Sequence, residues 1–271
     1  MNIQQQMNHR AAIWKNILLG DNYKITLLRN HYYNCVSKYP RLCPEKTKGL
    51  IQRDIPRTYA QSSFYKIHKN QQSIETLLCQ FAVIHPADNY LQGFNYIMAT
   101  LYYVYYNHDP EYAMADTWWS FCKILSCIRP CLPDDCIVHF KDYTKCWSKY
   151  FKNHLKSYDQ TLYHIVTPSF DNICQNLQVK WLMIWFCQNF SLQHIIIIWD
   201  ALITCEPTDR AKLKGIIAAN ILIQSSTNII DLYRKSPTEV AYHIINFKAV
   251  DPGVIIKNSR DAMLKIKIPY I

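Results

Sequence analysis

Apolar residues along this chain recur mostly at the three- and four-residue spacing of helices. In Arg10–Gly20, RAAIWKNILLG, Ile13, Trp14, Ile17 and Leu18 share one face, and Gly20 ends the run as a C-terminal cap would. Asp21–Tyr39 continues a mixed helical pattern that Pro40–Pro44 breaks. In Thr47–Arg57, Ile51 and Ile55 sit four apart and Asp54 and Arg57 three apart, so each pair can line one face. Pro56 predicts that Arg57 emerges at a helix end or turn.

Ser73 predicts the N-cap of a helix striped by Ile74, Leu77, Leu78 and Phe81, closed by His85-Pro86 and followed by a loop at Ala87–Asn89. Ile97–Tyr106 is apolar all round and reads as a central buried helix. Asp109 and Pro110 offer a cap and first-turn proline for a helix carrying Trp118, Trp119, Cys122 and Leu125, after which Arg129–Pro133 interrupts. His139–Ser157, Val179–Phe190, a helix capped by Thr208 and carrying Ile216, Ile217 and Leu222, and Glu239–Phe247 complete the pattern. The run Ile195–Asp200 is open between strand and helix, because period does not decide so short a β-branched run. With about a dozen helical segments, no alternating strand pattern and no fixed repeat, the fold class is all-α.

Composition narrows the function. At 271 residues the chain is long enough for one large or two small domains, and 49% hydrophobic residues suffice for a sizeable core. Its longest apolar runs, near Ile97–Tyr106 and Ile195–Ile203, fall well short of the roughly 20 residues a bilayer-spanning helix needs. Met1–Arg10 is polar, with no signal-peptide pattern, so a cytoplasmic location is expected. Eleven cysteines, an odd number, then read as reduced thiols. The net charge of +10 is scattered, apart from Lys248, Lys257, Arg260, Lys265 and Lys267, and nucleic-acid binding is not expected. Only five glycines, with no GxGxxG and no GxxxxGK[ST], leave the chain without a phosphate-cradling loop of its own. Cys122, Cys127, Cys131 and Cys136 with His139 lack the paired CxxC spacing of structural zinc, so they read as packing residues and no metal site is assigned. No GxSxG elbow supports a hydrolytic nucleophile.

Two stretches carry polar groups that packing does not explain: Ile51-Gln52-Arg53-Asp54-Ile55-Pro56-Arg57 and Tyr90-Leu91-Gln92-Gly93-Phe94-Asn95-Tyr96. An isolated Asp-x-x-Arg is ordinarily a surface ion pair worth about 0.3–0.5 kcal/mol. Here the first stretch resembles the IxxDxxR motif and the second the YxQGxN motif of the TBC domain, the Rab GTPase-activating fold, in that order. Arg10, Trp14 and Gly20 resemble the family's entry helix, RxxxWxxLLG, and Trp185–Leu202 resembles a late motif ending in Trp199-Asp200, which favours helix over strand for the isoleucine run. Ile197 stands where the family usually has arginine. The resemblance covers about Arg10–Phe247, read as one TBC domain between a polar tail at 1–9 and a basic tail at 248–271.

The resemblance implies an activator of vesicle-trafficking GTPases, not an enzyme with a nucleotide site of its own. Its substrate is a Rab-family GTPase in the GTP-bound state, and GTP and magnesium belong to that partner. Arg57 is implied as an arginine finger and Gln92 as a glutamine finger, with Asp54 orienting the guanidinium. Gly93 allows close approach, Asn95 supports from behind, and Ile51, Tyr90 and Tyr96 hold the register. A monomer with a peripheral place on endomembranes fits this reading. The alternatives are a non-catalytic TBC-like scaffold that binds a GTPase or another trafficking partner, and a basic helical adaptor for nucleic acid or anionic lipid.

Overall fold

Helices form where the apolar stripes lie, and their ends follow local chemistry. The computed structural model describes residues 2–39, 42–86, 89–128, 137–246 and 251–267, and among these no strand occurs. The protein packs as two compact units, Met1–Cys127 and Ile128–Ile271, and the segment 10–247 read as one domain runs through both.

The first unit holds α1 (Ile3–Leu19), α2 (Asn22–Asn34), α3 (Glu45–Asp54), α4 (His68–Ile84), α5 (Phe94–His108) and most of α6 (Ala113–Ile128). Its core is aromatic: Phe81, Phe94 and Phe121 meet edge to face with centroids 5.0–5.8 Å apart, Trp118 lies 6.2 Å from Phe81, and both Trp118 and Trp14 are fully buried. Arg29 grips the buried Asp116 carboxylate with two hydrogen bonds of 2.7 and 2.6 Å, tying α2 to α6, and Lys15 of α1 stands 3.4 Å from the same carboxylate.

The segment read as a polar tail at 1–9 is the start of α1, closed by a capping box between Asn2 and Gln5. Helix α1 ends, as expected, at Gly20 with φ +104°. Ser73 is not a cap. Helix α4 begins five residues earlier, where Asn70 and Gln71 donate to the carbonyls of Phe64 and Tyr65, and the Ser73 hydroxyl donates back to Lys69. Asp109 ends α5 instead of starting α6.

The second unit holds α7 (Ile137–Tyr158), α8 (Gln160–Leu177), α9 (Leu192–Thr204), α10 (Arg210–Ile223), α11 (Ser226–Lys235), α12 (Glu239–Asn246) and α13 (Pro252–Lys267). Helix α10 crosses α7 at Gly215, where a Cβ would lie 2.5 Å from the Trp147 carbonyl, so only glycine permits that approach. The isoleucine run is helical, within α9, and Ser191 caps its start. Val179–Phe190 is not a regular helix: a π-helical turn, Gln178–Met183, leads into Trp185 and Phe186 at φ +49° and +65°. Asp209, not Thr208, stands at the N-cap of α10. Most of the segment read as a basic tail at 248–271 is helix α13, which buries Ile255, Ile256 and Ser259 and packs on α9 and α10. Ala87, Asp88, Cys131, Cys136, Lys248 and the break at Arg129–Pro133 lie outside the described residues, as do the side chains of Cys127 and His139.

Candidate functional site

Helix α3 has two faces. Thr47, Ile51 and Ile55, spaced by four, are buried, while Leu50, Arg53, Asp54 and Arg57 fall at i, i+3, i+4 and i+7 and line a cleft of about 280 Å³. Pro56 acts as expected: the α-helix closes at Asp54, and Ile55–Arg57 tightens into a 3-10 turn that carries Arg57 exposed.

The far wall of the cleft is Tyr90 and Gln92. Phe94 N–H donates to the Leu91 carbonyl at 3.1 Å, closing a turn whose third residue, Gly93, has φ +112°. That left-handed conformation suits glycine, and it leaves Gln92 exposed at the corner. The Gly93 N–H donates to Asn95 Oδ1 at 3.0 Å, so the first turn of α5 steadies the corner from inside.

The two motifs are bonded to each other. Tyr90 Oη donates to Asp54 Oδ2 at 2.6 Å and lies 3.2 Å from Asn95 Oδ1. Asn95 Nδ2 donates to Thr58 Oγ1 at 2.6 Å, and that hydroxyl donates to the Asp54 carbonyl at 2.9 Å. Tyr96 Oη donates to the Arg57 carbonyl at 3.3 Å. Burial, with the neighbouring Asp54 carboxylate adding to it, pushes the Tyr90 hydroxyl well above its ordinary pKa, so it stays a neutral donor.

Every residue expected in the site from the two motifs is brought together in the first unit, with Ile51 and Tyr90 buried as packing residues. One role differs. Asp54 spends its carboxylate on Tyr90, 36 residues away, and forms no ion pair with Arg57 among the described residues. Sequence reasoning missed Thr58, whose place four residues after Asp54 allows its hydroxyl to bond back to that carbonyl. The remaining motif residues sit in packing positions. Trp14 is buried in α1, Arg10 Nη1 lies 3.3 Å from Met7 Sδ, and Trp199 in α9 donates to the Trp185 carbonyl at 3.2 Å, followed by half-buried Asp200.

No helix among the described residues is long and apolar enough to cross a membrane. The chain is 30% identical over 143 residues to TBC1 domain family member 13 of Mus musculus, covering 48% of this chain and 33% of that protein. It is 24% identical over 226 residues to GTPase-activating protein GYP1 of Saccharomyces cerevisiae, covering 71% of this chain and 34% of that protein. The chain therefore spans about a third of the length of these relatives. The crystal structure of the Ypt/Rab-GAP domain of Gyp1p shares the fold, with a TM-score of 0.72 at 18% identity over 97% of this chain and 94% of that one. Residues 7–230 match the family model described as Rab-GTPase-TBC domain, and by that span the chain belongs to this family.

Proposed function

We propose that the chain accelerates GTP hydrolysis by a GTP-bound Rab-family GTPase, supplying Arg57 and Gln92 in trans. The observation that carries this reading is the cleft itself, in which an exposed guanidinium and an exposed carboxamide from separate segments face one small space. Both groups stand on backbone fixed by buried hydrogen bonds. The name of the yeast relative, a GTPase-activating protein, supports the same reading.

GTP and magnesium come with the partner. In the transition state of phosphoryl transfer, negative charge spreads over the transferred group, and an arginine from a partner protein contributes on the order of 10³–10⁵ in rate. Arg57 supplies that charge. A carboxamide both donates and accepts hydrogen bonds, so Gln92 can hold the attacking water in line. Asp54, Tyr90, Asn95 and Thr58 keep the two groups in register and do not react. The site lies in a membrane-trafficking activator that works as a monomer, with peripheral membrane contact.

Single-turnover phosphate release from a panel of GTP-loaded Rab proteins tests this. Strong acceleration of one or a few of them, lost in Arg57→Ala and in Gln92→Ala while both variants stay folded, is the expected result. Binding without acceleration by any member would make the chain a scaffold.

A further inference from the structure

Resting on that reading, we propose that Arg53 is a docking residue on the rim of the cleft, recognising an acidic side chain on the partner GTPase and not the transferred phosphoryl group. Arg53 is exposed and lines the same space as Arg57 and Gln92, yet it is aimed differently. Its Nε donates to the Gly49 carbonyl at 3.1 Å, one turn back along α3, which leans the side chain away from the 3-10 turn that presents Arg57.

The neighbours fit a contact surface. Leu50, at 40% exposure, lies beside Arg53 on the cleft face. Gly49 has no atom within 4 Å of where a Cβ would stand, so α3 offers a low, open strip there. The charge balance points the same way. Among the described residues lining the cleft, the carboxylate is that of Asp54, which already accepts from Tyr90, and the cations are Arg53 and Arg57. A rim cation flanked by an apolar side chain matches a partner surface that presents a carboxylate beside an apolar patch, and such charges act mainly on encounter and on salt dependence.

The test compares Arg53→Gln and Arg53→Lys with the unsubstituted chain, on whichever GTP-loaded Rab it accelerates, varying the concentration of the chain and the ionic strength. Arg53→Gln should lower kcat/KM by about 5- to 10-fold at low salt, leave the saturating rate within about twofold and flatten the salt dependence, while Arg53→Lys recovers most of the loss. A saturating rate that collapses as in Arg57→Ala overturns the proposal, because Arg53 would then act on the phosphoryl group. Unchanged kinetics also overturn it. If no Rab is accelerated, binding of the same Rab panel decides: weaker, less salt-sensitive binding by Arg53→Gln supports the docking role even though the activation reading has failed, and unchanged or absent binding overturns both.

Discussion

Asn95 donates its side-chain amide to the Thr58 hydroxyl across 2.6 Å, joining the residue that follows Arg57 to the helix that follows Gln92. Both partners are buried, so breaking the bond strands a polar group away from water.

Thr58→Val keeps the shape and removes the acceptor, leaving Asn95 Nδ2 without its partner. Urea unfolding should show a loss of about 1–3 kcal/mol, and the rate acceleration should fall with it at temperatures where the variant is fully folded. Thr58→Ser, which retains the hydroxyl, should recover most of both. Equal stability of the valine variant and the parent would show that this bond carries no weight.

Two glycines separate backbone strain from site geometry. Gly93 has φ +112° and Gly20 has φ +104°, so alanine at either position should cost about 1–2 kcal/mol in stability. At Gly20 the added Cβ meets the flexible Lys24 side chain at 3.0 Å, in a cap remote in sequence from the two motifs that line the cleft. Only Gly93→Ala should also lower the saturating rate, because it turns the corner that presents Gln92. Matching activity losses in the two variants would mean that stability alone was being measured.

Alkaline pH probes the buried core. Burial, with Cys43 close by, pushes the Cys79 thiol from 9.0 to about 12, and burial likewise raises the hydroxyls of Tyr32, Tyr65, Tyr90 and Tyr105 above their ordinary 10.0. These groups keep their protons longer in the folded state than in the unfolded one. Their contribution is therefore complete below pH 9 and declines as pH rises, first through Cys79 and then, above 10, through the tyrosines. Urea midpoints should fall steadily from pH 9 upward, and Cys79→Ala should flatten the stretch between 9 and 12. A midpoint that stays level to pH 11 would contradict this account.

What the sequence made legible was local. The Ile51 and Ile55 spacing and the break at Pro56 each depend on residues within a turn of one another, and both stand as read. The helical reading of Ile195–Asp200 needed more than period, since four isoleucines fit either structure, and the Ser191 cap is what marks its start. What stayed hidden is non-local. An aspartate three residues from an arginine looks like its partner until a tyrosine 36 residues away supplies a buried hydroxyl at 2.6 Å. Ser73 lost its capping role to bonds made by Asn70 and Gln71, and the charged surface of α13 disguised the stripe that Ile255, Ile256 and Ser259 turn inward.

Helix α5 receives the chain after Arg57 at several points: Asn95 holds Thr58, Thr100 pairs with the Tyr59 hydroxyl at 2.8 Å, the Ala99 carbonyl accepts from Tyr65 at 2.6 Å, and Tyr96 reaches the Arg57 carbonyl. The same helix begins at the corner that carries Gln92. Arginine and glutamine thus share one ruler, α5, which begins at one of them and is bonded to the chain beside the other. A substitution inside α5 therefore reaches the backbone beneath both polar groups at once.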